Sequence, residues 1–190
     1  MKKILVLKLA TLWIFIGLFV TSFYLLRPNQ VAMSTTIASM PAQSFETSLE
    51  EVLISGDPSR ITIPNLGVDK QVLPGIFDIN SQTWSLSGSN AHYATVTSQP
   101  NNKAGNTFIY GHNNMQVFGK LLDAPLGTEA LVTTSNSHVF RYVLRQITDV
   151  PPTDTTYLGP STSPILTIQT CSGLWSENRR MFVFDLVEAT

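Results

Sequence analysis

The sequence predicts an all-β domain held behind one membrane-spanning helix, and three observations carry that reading. Lys2, Lys3 and Lys8 precede an uncharged, largely apolar run from Leu9 to Leu26, which Arg27 closes. The next stretch, residues 27–57, shifts to Ser, Thr, Gln, Met and Ala without a sustained apolar period. From about residue 58, clusters of Pro, Gly, Asn and Ser cut the chain into short segments rich in Ile, Val, Thr, Phe and Tyr. Segments of that kind read as strands joined by turns, with brief helical pieces between them.

The N-terminal run spans about 27 Å as a helix, near the lower limit for crossing a bilayer. It is longer than the apolar core of a cleaved signal peptide, usually about 7–15 residues, so it reads as an uncleaved anchor. Trp13 and Tyr24 suit the two interfaces. Three lysines before the run against one arginine after it leave residues 1–8 in the cytoplasm, 9–26 in the membrane and everything later outside. Residues 27–57 then read as a stalk. Apolar positions at 45, 49, 52 and 53 are compatible with a short amphipathic helix, and equally with a solvated spacer.

Strands are expected near 60–64, 70–74, 83–87, 105–111, 128–134, 138–147, 164–170 and 179–187. Phe140, Tyr142 and Leu144 alternate with Arg141, Val143 and Arg145, as on a strand with one more polar face. Ser135-Asn136-Ser137 separates two such runs and reads as a hairpin turn. Residues Ser89–Tyr93 and Gln116–Leu122 read as short helices. Eight short strands suit a closed barrel, which leaves no open sheet edge. A sandwich fits the same periodicity.

Composition narrows the function. A formal net charge of −1, with only 13% charged residues, gives no electrostatic footprint for nucleic acid or another polyanion. A single cysteine, Cys171, forms no internal disulfide. Most free cysteines are small buried hydrophobes. Cys171, however, ends the β-branched run Leu166–Thr170 and precedes the turn signal Ser172-Gly173, so its side chain is held at a strand tip. Of three histidines, His112 ends Phe108-Ile109-Tyr110-Gly111 before the polar turn Asn113-Asn114, a second strand tip. His138 starts a hairpin strand and reads as a solvated edge residue, and His92 receives no role. Arg179 and Arg180 open the last strand. Alternation puts Arg179 with Met181 and Val183, and Arg180 with Phe182, Phe184 and Leu186. If the Phe-rich face is the core, Arg179 faces the groove that Met181 lines and Arg180 is a surface charge.

A thiol, an imidazole and a guanidinium are the parts of a cysteine acyl-transfer site. Their local context resembles one family closely. Leu166-Thr167-Ile168-Gln169-Thr170-Cys171 is similar to the Thr-Leu-x-Thr-Cys strand of the sortases, with Ile168 where Leu is usual. Asn106–His112 resembles the strand that delivers the family's catalytic histidine, and Arg179 falls where the family's arginine opens the final strand. Arg60–Val68 and Val117–Leu122 resemble the opening strand and the segment after the histidine.

That resemblance implies a closed eight-stranded sortase-type β-barrel over residues 58–190 and a transpeptidase without metal or organic cofactor. Cys171 is then the nucleophile, His112 the general acid and base, and Arg179 the oxyanion stabiliser; Thr170 helps position substrate, and Met181, which strand parity puts on the groove face, is expected to contact it. The implied substrates are exported proteins with a C-terminal Leu-Pro-x-Thr-Gly (LPxTG) signal, cut between Thr and Gly. The acceptor is the amine of a peptidoglycan precursor or of a pilin lysine, and the catalytic domain lies outside a bacterial cell membrane. Asp57-Pro58 resembles the Asp-Pro lid of pilus-type sortases but abuts the first strand and reads as a turn, so no subclass follows. Two rivals differ in kind. The L,D-transpeptidases carry Arg two residues after Cys, whereas Ser172 and Gly173 follow here and Arg179 lies eight positions on. A non-catalytic tethered β-domain for adhesion or scaffolding explains anchor, stalk and strands, but not three reactive groups at strand tips.

Overall fold

The computed structural model describes residues 52–190. The expected membrane span at 9–26, its cytoplasmic flank and most of the stalk lie outside the described residues. Among the described residues, no helix is long and apolar enough to cross a membrane.

Ten strands follow in chain order. They are β1 (Pro58–Ile63), β2 (Val68–Gly75), β3 (Phe77–Asp78), β4 (Thr83–Trp84), β5 (Ala91–Ala94) and β6 (Gly105–Tyr110), then β7 (Glu129–Thr134), β8 (Val139–Val150), β9 (Pro164–Ser172) and β10 (Asn178–Ala189). Eight of them close a barrel in the order β1-β2-β5-β6-β9-β10-β8-β7, with β1 pairing back onto β7. Closure leaves no unpaired sheet edge in the barrel, which settles the choice between barrel and sandwich. Strands β3 and β4 form a separate two-stranded hairpin.

Three expectations are corrected. Ser89–Tyr93 is not a helix: Ala91–Ala94 is β5, pairing in parallel with β2 and antiparallel with β6. The strand expected at 83–87 shrinks to Thr83–Trp84 and lies outside the barrel. The helix expected at 116–122 appears only as a 3₁₀ turn, Gly119–Asp123.

Alternation builds the interior. Phe140, Tyr142 and Leu144 of β8 are buried, as are Leu166 and Ile168 of β9 and Phe182 and Phe184 of β10, and all belong to one core cluster. The opposite faces of β7 and β8, and of β10 beyond Val183, meet solvent, where Arg141 pairs with Glu129 and Glu188, and Arg145 with Asp185. Strand β6 departs from alternation, because all six of its residues are buried. Its inward side belongs to the barrel core through Ile109. Its outward Phe108 and Tyr110 join Ala94, Val150 and Met181 in a second cluster, against which Trp84, Tyr157 and Leu158 pack. A strand buried on both faces reads as an unbroken apolar run, as Phe108-Ile109-Tyr110 does.

Candidate active site

The second cluster forms the floor of a groove of about 340 Å³ on the outside of the barrel. Cys171, His112 and Arg179 all line it. They reach it from three neighbouring strands, because β9 lies between β6 and β10 in the barrel.

The register fixes this convergence. Arg179 and Cys171 are direct partners across the antiparallel β10–β9 pair, so their side chains leave the same face of the sheet. The parallel β6–β9 ladder runs to Tyr110 opposite Gln169, and the Gly111 amide then donates to the Gln169 carbonyl at 3.1 Å. His112 follows at the tip of β6, beside the tip of β9. Gly111 is required there by space: a Cβ would stand 2.6 Å from Cγ1 of Val117 and 3.0 Å from Cδ2 of Phe118. The chain turns back at once. The Phe118 amide donates to the His112 carbonyl at 3.1 Å, and Oδ1 of Asn114 accepts the amides of Gln116 and Val117 at 2.9 and 2.8 Å.

The two arginines divide as parity predicts. Arg180 donates twice to Asp149, at 2.9 Å from Nε and 2.6 Å from Nη2, and Ser172 Oγ adds 2.7 Å to the same carboxylate. The Arg180 guanidinium holds the Asp149 carboxyl below its ordinary range, and Asp149 in turn raises Arg180. Arg179 lines the groove. Its Nη1 donates to the carbonyls of Ser176 and Asn178 at 3.0 and 3.1 Å, and it makes no ion pair among the described residues. Its charge is thus oriented by backbone oxygens without being neutralised by a carboxylate.

Two expected substrate contacts lie elsewhere. Thr170 is only 1% exposed and faces the barrel side, where its Oγ1 donates to the Gly111 carbonyl at 3.0 Å. It ties the tips of β6 and β9 together, and it does not line the groove. Met181 is likewise 1% exposed and sits in the second cluster, supporting the groove floor from below. Parity correctly put Met181 on the Arg179 face, but the 3₁₀ turn Thr156–Leu158 and the side chains of β6 bury that face.

The walls were not legible in the sequence. Trp84 packs edge-on against Tyr110 at 5.6 Å, and Thr83, Leu86 and Leu158 complete an apolar surface beside the three polar groups. The alternation Trp84–Leu86 is a signal, but it resembles that of a barrel strand. Among the described residues, no group of three or more His, Cys, Asp or Glu side chains is arranged to hold a metal ion.

A closed all-β barrel with a thiol, an imidazole and a guanidinium on one outer groove defines a class of protein built around a strand-tip cysteine. Comparison gives the class its family. A sortase domain matches residues 61–186, and the chain belongs to the sortase family of transpeptidases. Solved structures agree on the fold. Sortase E1 from Streptomyces coelicolor, with a tripeptide in the active site, is 22% identical with a TM-score of 0.58, over 70% of this chain and 90% of that one. Sortase C-1 from Actinomyces oris is 21% identical with a TM-score of 0.57, over 70% and 76%. Sortase A from Corynebacterium diphtheriae is 18% identical with a TM-score of 0.58, over 71% and 62%. No curated protein matches the sequence.

Proposed function

We propose that this protein is a membrane-anchored sortase that cuts an LPxTG-type sorting signal between Thr and Gly and passes the acyl fragment to an amine. The observation that carries the reading is the meeting of Cys171, His112 and Arg179 on one groove whose floor and walls are apolar. The tripeptide in the active site of the Streptomyces coelicolor relative supports a peptide as the occupant.

The chemistry follows from the groups. The Cys171 thiolate attacks the Thr carbonyl carbon, and the developing oxyanion faces the Arg179 guanidinium. As the C–N bond to Gly breaks, protonated His112 gives its proton to the leaving amine, and a thioester to Cys171 remains. An incoming amine then loses a proton to His112, attacks the thioester and expels the thiolate. Arg179 suits the oxyanion role because its charge is not spent on a carboxylate, whereas Arg180 is committed to Asp149. Thr170 acts through the backbone, holding the Gly111 carbonyl and hence the placement of His112. The acceptor is a peptidoglycan precursor or a pilin lysine, and Lys2, Lys3 and Lys8 with the run 9–26 anchor the catalytic domain outside the cell membrane.

The test incubates the full chain with LPxTG-type peptides, with and without small amines, and weighs the protein and products by mass spectrometry. The expected result is a thioester adduct on Cys171 that amines resolve, absent in Cys171→Ala. A native Cys171 that resists alkylation and forms no adduct with any peptide would instead make the domain a non-catalytic tethered module.

A further inference from the structure

His92 lies on β5, one strand further round the barrel than His112, and is only 5% exposed. Its imidazole stacks on Tyr110, with ring centroids 5.6 Å apart and planes inclined by 25°. Tyr110 lines the groove, and Trp84 packs against the same ring edge-on. His92 therefore backs an aromatic side chain of the groove.

Its hydrogen bonding is more specific than packing. Nε2 lies 2.9 Å from the backbone nitrogen of Ser87, and Ser87 Oγ is at 3.2 Å. A backbone amide only donates, so Nε2 accepts and the ring is the neutral tautomer with its proton on Nδ1. Nδ1 closes no regular hydrogen bond, although the Pro74 carbonyl lies on that side. A second proton on the ring would have to sit on Nε2, where it would meet the Ser87 N–H.

The segment held by that bond is a groove wall. Thr83, Trp84 and Leu86 face the groove, the Ser85 carbonyl accepts from Tyr110 Oη at 2.8 Å, and the Gly88 carbonyl accepts from Asn114 Nδ2 at 3.1 Å. Asn114 belongs to the turn that follows His112. The wall is thus tied at three successive points: Ser85 to Tyr110, Ser87 to His92, and Gly88 to the His112 turn. Only the middle tie includes an imidazole, the side chain whose ordinary pKa lies near neutrality.

We propose that His92 is a positioning residue for the groove: its neutral imidazole holds the Ser87 amide and braces Tyr110, and proton uptake releases the wall Thr83–Gly88. This rests on the groove being the peptide site. The titratable groups facing His92 are both on or just beyond β6. They are Tyr110, stacked on it, and His112, whose positive form opposes a second positive imidazole. Pro74 on the β2 side and Ser87 on the wall side bring no charge. Burial, helped by His112, favours the neutral ring and outweighs the Pro74 carbonyl, which favours the protonated one, so the wall is held at neutral pH and released on the acid side.

The test uses the full chain in detergent micelles, with ¹⁵N-labelled histidine and serine, alongside peptide kinetics. Three histidines give few enough signals to assign by substitution. Near neutrality, His92 is expected to carry its proton on Nδ1, and the Ser87 amide signal is expected to move with the His92 titration. His92→Gln keeps an acceptor that does not titrate. It is expected to hold kcat/KM within about 3-fold of wild type near neutrality and to abolish the rise in KM that release of the wall should give the wild type as pH falls. His92→Leu keeps bulk without an acceptor, and is expected to raise KM for peptide about 10-fold while the alkylation rate of Cys171 stays the same. A Ser87 amide indifferent to the His92 titration overturns the proposal. So does an unchanged acid limb in His92→Gln, which decides the matter if the Leu variant fails to fold. If the wild-type chain captures no peptide at all, the reading of the site falls by itself, and the Ser87 signal still judges the tie.

Discussion

Arg179 and Arg180 stand next to each other, yet their surroundings give them opposite work. Arg180 is held in two hydrogen bonds by Asp149, which Ser172 also bonds. Arg179 leans on the backbone carbonyls of Ser176 and Asn178 and keeps its charge toward the groove. The prediction at this scale is therefore asymmetric. Arg179→Ala should lower turnover by about 10²–10³-fold with little change in melting temperature, because it removes the proposed oxyanion partner. Arg180→Ala should do the reverse, costing about 0.5–1 kcal/mol for a partly exposed ion pair while retaining most of the turnover. Peptide kinetics and thermal unfolding on the two variants check this, and a larger kinetic loss for Arg180→Ala would reverse the assignment. His112→Ala should cost at least about 10²-fold in turnover, measured in the same assay.

At the scale of elements, the tips of β6 and β9 are tied by few contacts, and those contacts set the site. The Thr170 hydroxyl reaches the Gly111 carbonyl across a sequence separation of 59. Thr170→Val keeps the shape but leaves that carbonyl without its buried donor. It should cost about 1–3 kcal/mol of stability and slow peptide turnover while Cys171 still alkylates. Gly111→Ala should do more harm, because its Cβ would press into Val117 and Phe118, which pack against the barrel core. A loss of about 1–3 kcal/mol in urea unfolding is expected, with His112 displaced from the groove. Legibility differed between elements for physical reasons. The long strands β8, β9 and β10 announced themselves, because each alternates against one continuous core. Strand β5 did not. It is four residues long, is buried throughout, and owes its pairing to β2 and β6 and not to its own Ala-His-Tyr-Ala sequence. Trp84 and Leu86 alternate because they face a groove, so the period was read correctly and its cause was not.

The whole molecule couples these parts through burial, and its acid stability should show two steps. Burial keeps His92 neutral and lowers its pKa from the ordinary 6.5, so the unfolded chain takes up that proton first. Its stabilising contribution is full above pH about 6.5 and is lost as pH falls through the lower folded value. Asp149 is lowered below an ordinary 3.8 by Arg180, so its contribution is present above pH about 4 and fades below that. Melting temperature followed from pH 8 to 3 should therefore fall first with His92 and again, at lower pH, as Asp149 and the other carboxylates held low, Asp69, Asp78, Asp154 and Glu177, take up protons. His92→Gln should remove only the first step, and Arg180→Met should weaken only the second.

The amino-acid sequence alone determined which chemistry this protein has available: one thiol, one histidine and one arginine at strand tips, in an order that resembles the sortases, on an all-β pattern. Those properties are local, because strand propensity, turn signals and side-chain parity act within a few residues. Only the tertiary structure decided that the strands close into a barrel, that β6, β9 and β10 are neighbours, that Thr170 faces the barrel side, and that Met181 is covered beneath the groove floor. Those outcomes depend on pairings between segments far apart in the chain. Which face of a strand is covered is set by what packs on it, and no strand carries that information by itself.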